Sequence, residues 1–125
     1  MKDSGKETKT LEQRVSRLNQ MIQEGQVLPA FEKFYAEDVV MQENENEPTK
    51  GKVACRINEE TFVNGITAFR KAEIQSIVIG DNISVTQWSF DFTHKDWGVR
   101  DYNQISVQRW NDEGQIINEK FYYSK

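Results

Sequence analysis

From Ile66 onward the chain changes its period, and that change constrains the fold more than any other feature. Four β-rich segments follow one another at residues 67–79, 83–94, 99–110 and 115–123. Only Gly80-Asp81-Asn82, Lys95-Asp96-Trp97-Gly98 and Asn111-Asp112-Glu113-Gly114 stand between them. Turns this short, and this rich in Gly, Asn and Asp, join neighbouring antiparallel strands. The second half of the chain therefore reads as a meander of consecutive hairpins.

The first half repeats its apolar residues at helical spacing. Thr10 and Gln13 carry the signature of a capping box, and Leu11, Val15, Leu18 and Ile22 share one stripe behind it. Gly25 ends that helix. Pro29 suits the first turn of a second helix, whose Leu28, Phe31, Phe34 and Tyr35 turn inward. A strand is expected at 38–44. A third helix follows at 52–64, with Val53, Ala54, Ile57 and Phe62 as its apolar side and Gly65 as its stop. Helices first and a meander later give an α+β domain, a curved antiparallel sheet wrapped around three N-terminal helices. Residues 1–9 lack periodicity and read as a disordered tail, which leaves 10–125 as a single domain.

Composition removes several classes of function. The formal charge is −4, and the 16 basic residues are spread among 20 acidic ones. Nothing concentrates Lys and Arg to displace phosphate counterions, so no nucleic acid partner is expected. The one cysteine, Cys55, excludes an internal disulfide, and the one histidine, His94, has no companion at ligand spacing. No metal site is expected from them. Cys55 has no histidine base beside it in sequence and reads as a buried, inert thiol. His94 adjoins a hairpin turn and reads as a surface or turn residue. There is neither a charged-then-apolar leader nor an apolar run of membrane-spanning length, so a cytoplasmic protein without membrane attachment is expected.

Strand alternation decides which polar groups reach the interior. Trp88, Phe90 and Phe92 share one face. Ile117, Phe121 and Tyr123 share another, with Glu119 among them. If Asn111 to Gly114 forms a four-residue loop, Trp110 pairs with Gln115, Ser106 with Glu119, Gln104 with Phe121 and Tyr102 with Tyr123. The inner face of the third meander strand is then Tyr102, Gln104, Ser106, Gln108 and Trp110. Ile105 and Val107 point outward, and leaving both wet forgoes roughly 3 to 6 kcal/mol of burial. A second copy packed sheet to sheet would recover it, so a homodimer through Ile105 and Val107 is expected. A three-residue loop with Gly114 in a bulge is the competing register. It turns Asn103, Ile105 and Val107 inward and weakens the reason for a dimer.

The order helix, helix, strand, helix, four-stranded meander is joined by three local features. They are Tyr35-Ala36-Glu37-Asp38-Val39-Val40, Gly51 ahead of the third helix, and Arg109-Trp110-Asn111-Asp112-Glu113-Gly114-Gln115-Ile116. Together they resemble the NTF2-like superfamily and, within it, a SnoaL-like (ketosteroid-isomerase-like) domain, over about residues 11–123. The resemblance implies a cone-shaped, cystatin-like fold with a mostly apolar pocket, often dimeric. It also implies that Glu43 stands where the ketosteroid isomerases keep their general-base aspartate. Asn19 and Ser106 fall approximately at the positions of their oxyanion-hole acids. Neither is such an acid, so steroid isomerisation is not the expected reaction. The superfamily also holds cyclases, epoxide hydrolases, dehydratases and non-catalytic modules, so the fold fixes no chemistry.

Glu43 and Glu119 are the candidate acid/base groups, because a carboxyl in an apolar pocket has a raised pKa and can exchange protons near neutrality. Gln104 and Ser106 are candidate orienters, and Trp88, Phe121 and Tyr123 candidate walls, around a small apolar or carbonyl-bearing molecule. The expected reaction is proton transfer without a cofactor: isomerisation, cyclisation or dehydration. The alternative is a non-catalytic binding or dimerisation module. In that case Glu43 opens a solvated acidic loop with Glu45 and Glu47, Glu119 meets solvent or a basic partner, and no cavity is bounded by Trp88, Gln104 and Tyr123.

Overall fold

Both arms of the capping box are present in the computed structural model, which describes residues 10–124. The Gln13 N–H donates to Thr10 Oγ1 at 3.1 Å, and the Thr10 N–H donates to Gln13 Oε1 at 3.0 Å. They open α1 (Leu11–Gln23), which buries Val15 and Leu18. The tail expected at residues 1–9 lies outside the described residues. Helix α2 (Val27–Phe34) passes into β1 (Tyr35–Glu43) with no loop between them. Tyr35 already has extended backbone angles, φ −103° and ψ 135°. The first strand therefore starts three residues before 38, and its first side chain is a buried tyrosine.

A two-residue strand, β2 (Thr49–Lys50), precedes α3 (Lys52–Gly65). The meander follows as β3 (Ile66–Gly80), β4 (Ile83–His94), β5 (Gly98–Trp110) and β6 (Ile116–Tyr123). The strands form one curved, unclosed six-stranded sheet in the order β2-β1-β6-β5-β4-β3. The meander is antiparallel throughout, whereas β1 lies parallel to β6, so the sheet is mixed. Phe31, Phe34, Val39, Trp110 and Ile116 are buried in the core between helices and sheet. Among the described residues no helix is long and apolar enough to cross a membrane.

Helix α3 does not present the face its apolar residues suggest. Val53 and Ile57 are 70% and 58% exposed, and Ala54 is exposed as well. The inward stripe is Lys52, Cys55, Glu59 and Phe62, spaced at helical intervals. Its charges are tolerated for local reasons. The Lys52 ammonium donates to the Glu32 carbonyl at 3.0 Å and lies over the Phe31 ring, while Glu59 borders a cavity.

The β5–β6 register also departs from the expectation. Asn111 Oδ1 accepts the N–H groups of Glu113 and Gln115, and Gly114 takes φ +79°. Trp110 then pairs with Ile116 and Arg109 with Asn118, which leaves Ile117 as the extra, bulged residue. Ile116 takes the fully buried place, and Ile117 is 37% exposed rather than inward. Beyond the bulge the pairs are Gln108–Glu119, Ser106–Phe121 and Gln104–Tyr123. Relative to the four-residue-loop register this is a slip of two, and a slip of two preserves the face. Ser106, Gln108 and Trp110 are buried, while Asn103 and Ile105 are exposed. The chemical neighbour of Glu119 is thus Gln108, not Ser106.

His94 is a buried residue and not a surface one. Its ring stacks on Trp97 at 3.6 Å between centroids. A Cβ built on Gly65 would lie 2.0 Å from its Nε2. Its Nδ1 accepts the Asp96 N–H at 3.1 Å, which leaves the proton on Nε2 to donate to the Thr61 carbonyl at 3.1 Å. The sole histidine fastens α3 to the β4–β5 turn.

Candidate functional site

The inner face of the sheet and the three helices enclose a cavity of about 770 Å³. Its apolar walls come from Leu18 on α1, Phe31 on α2, Phe62 on α3, and the Trp88, Phe90, Phe92 row of β4. Alternation on β4 puts those three aromatics on one side; they pair with Gln104, Tyr102 and Arg100 of β5, and Ser106 and Gln108 continue the polar strip on the same face. Trp88, Gln104, Ser106, Phe121 and Tyr123 all line this cavity, and so do Glu43 and Glu119. Asn19 does not. It is buried behind the wall, where its Nδ2 donates to Thr86 Oγ1 at 3.3 Å. Ser106 accepts from Gln104 Nε2 at 3.2 Å.

Glu119 is 2% exposed and is the best-organised group in the cavity. The Tyr35 hydroxyl donates to its Oε1, and Gln108 Nε2 donates to its Oε2 at 2.7 Å. The orientation of the Gln108 amide follows from a chain behind it. Trp110 Nε1 donates to Ser84 Oγ at 2.9 Å, and the Ser84 hydroxyl donates to Gln108 Oε1 at 2.8 Å. With its oxygen occupied, the amide can offer only N–H to Glu119. Both donors favour the ionised carboxylate, but burial outweighs them and raises its pKa from 4.5 to about 7.

A third carboxylate was not among the candidates. Glu59, on the inward stripe of α3, lines the same cavity and has no hydrogen-bond partner among the described residues. Burial first, and then the charges of Glu119 and Glu43, push its pKa up to about 8. Glu43 is exposed at the cavity's open side, where it accepts the Tyr123 hydroxyl at 2.5 Å. Burial raises the pKa of all three nearby tyrosines. Tyr102 rises to about 12, and Tyr35 and Tyr123 are raised further by Glu119 and Glu43 respectively. They remain hydroxyl donors at any physiological pH.

The sequence signal for Glu59 lay in the shortness of the competing stripe. Val53 and Ile57 continue into Glu60 and Thr61, whereas Cys55, Glu59 and Phe62 lead on to Ile66. Cys55 itself is buried, its Sγ 3.5 Å from the Thr49 carbonyl, and burial raises its thiol pKa. Among the described residues no cluster of three His, Cys, Asp or Glu side chains is arranged to hold a metal ion.

Chemically, the site brings together two carboxyls whose pKa values burial raises, Glu119 held by two hydrogen-bond donors and Glu59 by none among the described residues, inside aromatic walls. One can accept a proton while the other donates one.

Known proteins share this frame. A family model described as a SnoaL-like domain matches residues 9–123. No curated protein matches the chain in sequence. Among solved structures, a candidate SnoaL-like polyketide cyclase from Mesorhizobium loti is 19% identical at a TM-score of 0.80, covering 92% of this chain and 100% of its own. A protein of unknown function with a cystatin-like fold from Xanthomonas campestris is 11% identical at a TM-score of 0.78, covering 94% and 92%. A candidate isomerase from Rhodopseudomonas palustris is 11% identical at a TM-score of 0.72, covering 95% and 93%. At these identities the likeness is one of fold.

Proposed function

The chain belongs to the SnoaL-like domain family, and from that premise we propose that it is a cofactor-free acid/base enzyme acting on a small, mostly apolar carbonyl compound. The reaction class is isomerisation, cyclisation or dehydration. One observation carries the reading. A buried glutamate, Glu119, borders a 770 Å³ aromatic-walled cavity, held by two donors and poised near neutrality.

In this mechanism ionised Glu119 removes a proton from the carbon beside the carbonyl. Protonated Glu59 donates to the carbonyl oxygen as charge develops there, giving an enol rather than a free enolate. Return of the proton to another carbon isomerises the substrate, and loss of a leaving oxygen dehydrates it. Tyr35 and Gln108 fix the direction of the carboxylate, which keeps reacting atoms aligned. Gln104 and Ser106 orient the polar end of the substrate, and Trp88, Phe121 and Tyr123 bound its apolar body. Glu43, exposed and engaged by Tyr123, is the acid/base candidate at the cavity entrance.

A non-catalytic module would need no buried carboxylate bounded by Trp88, Gln104 and Tyr123; the placement of Glu119 favours the enzyme. The outer sheet face completes the reading. Val78, Val85 and Val107 lie side by side across three strands, next to the Gln87, Ile105, Tyr122 row. An apolar face of this kind suits a second copy of the chain. Native mass spectrometry of the purified protein tests the function first, by identifying a retained small molecule. That molecule is then offered to Glu119→Gln. Lost turnover with retained binding is expected; undiminished turnover would remove Glu119 from the mechanism.

A further inference from the structure

We propose that Arg100 is an anion anchor at the cavity wall, and that the ligand is a flat, ring-containing monocarboxylate. The inference deepens the reading above, since it assumes that the cavity holds a ligand, but it does not depend on turnover.

Among the described residues, Arg100, on β5, is the one Lys or Arg side chain lining the cavity, which Glu43, Glu59 and Glu119 also line. Its guanidinium carbon sits 5.1 Å from the centre of the Tyr102 ring. A guanidinium held over a ring face by cation–π attraction still has N–H donors to offer an oxyanion. Three cations outside the cavity lining are held by carboxylates. Arg70 meets Asp91, and Lys52 and Arg56 both meet Glu32. Among the described residues no carboxylate lies within 4.0 Å of Arg100. Its charge is nonetheless felt nearby, lowering the pKa values of Tyr102 and Tyr123 against the dominant effect of burial. A half-buried guanidinium without a fixed anion is a ready partner for a planar carboxylate, which it can grip with two parallel hydrogen bonds.

Two further observations narrow the chemistry. Tyr102 continues into an aromatic wall, 5.9 Å from Phe90 and 6.1 Å from Phe92 between ring centres, so the surface leading inward from Arg100 fits a ring system. The single cation also shares the lining with three acidic side chains. A monoanion matches the single charge of Arg100, whereas the second charge of a dianion such as a phosphate monoester finds no cation among the described lining residues.

The test compares naphthalene-2-carboxylate with its neutral amide of the same shape, by calorimetry on the intact protein. The wild type is expected to bind the carboxylate at least tenfold more tightly. Arg100→Gln is expected to lose that preference and Arg100→Lys to keep part of it. Equal affinities in the wild type would overturn the proposal, as would a preference unchanged in Arg100→Gln or binding of neither probe at millimolar concentration. Tighter binding of 2-naphthyl phosphate would overturn the monocarboxylate class. If Arg100→Gln does not fold, the wild-type probe pair and Arg100→Lys still decide. Because no arm reads turnover, failure of the acid/base mechanism would leave this result standing, and the reverse.

Discussion

Replacing Tyr35 by Phe removes a single hydroxyl from the site and makes the sharpest demand on the electrostatic reasoning. The ring's stacking on Phe31, 4.9 Å between centres, is retained, so the core keeps its packing. Glu119 loses one of its two donors. A hydrogen bond to a charged group is worth roughly 1.5 to 3 kcal/mol. At 1.36 kcal/mol per pKa unit, its loss raises the carboxyl by about 1 to 2 units. Glu119 should therefore move from about 7 to roughly 8 or 9. Carbon-detected NMR of protein labelled at the glutamate carboxyl carbons reads this directly, with Glu119→Gln assigning the resonance. In catalysis the same shift would carry the acidic limb of the rate profile upward. A midpoint that stays put, or falls, in Tyr35→Phe would refute the view that the tyrosine stabilises the ionised form.

Three other outcomes follow from the same structure. Glu119 is raised in the folded state above its ordinary 4.5, so the native protein holds a proton that the unfolded chain releases. Stability should fall as pH rises from 4.5 to 7, on the order of 3 kcal/mol from this group alone; thermal melts should show that fall and a shallower one in Glu119→Gln. Gly65→Ala should cost roughly 1 to 3 kcal/mol or more, because its Cβ would overlap the His94 ring at 2.0 Å; an unchanged denaturation midpoint would contradict the fastener role of His94. Light scattering should find a dimer in the wild type and a monomer in Ile105→Lys, and a monomeric wild type at micromolar concentration would remove the outer face as an interface.

Local signals made most of the architecture legible. The turn residues delimited β4 at residues 83–94, and the capping box at Thr10 opened α1 where expected. Tertiary context decided the rest. Helix α3 turns Glu59 inward because it borders a cavity and not a dry core, and apolar periodicity cannot distinguish the two. The Ile117 bulge depends on the Asn111 side chain claiming two backbone N–H groups, which strand alternation does not encode. Glu119 was legible because alternation put it among Phe121 and Tyr123. Its partners Tyr35 and Gln108 were not, since they meet it through a parallel β1–β6 pairing 84 residues apart and a register slipped by two.

The central claim is that Glu119 moves a proton to and from carbon. Its most direct measurement is deuterium uptake from D2O at the α-carbon of small cyclic ketones bearing a carboxylate, followed by NMR. The wild type should catalyse exchange with an acidic limb near pH 7, and Glu119→Gln should slow it by about 100-fold or more. Exchange that is equally fast in Glu119→Gln, with the fold intact, would contradict the claim.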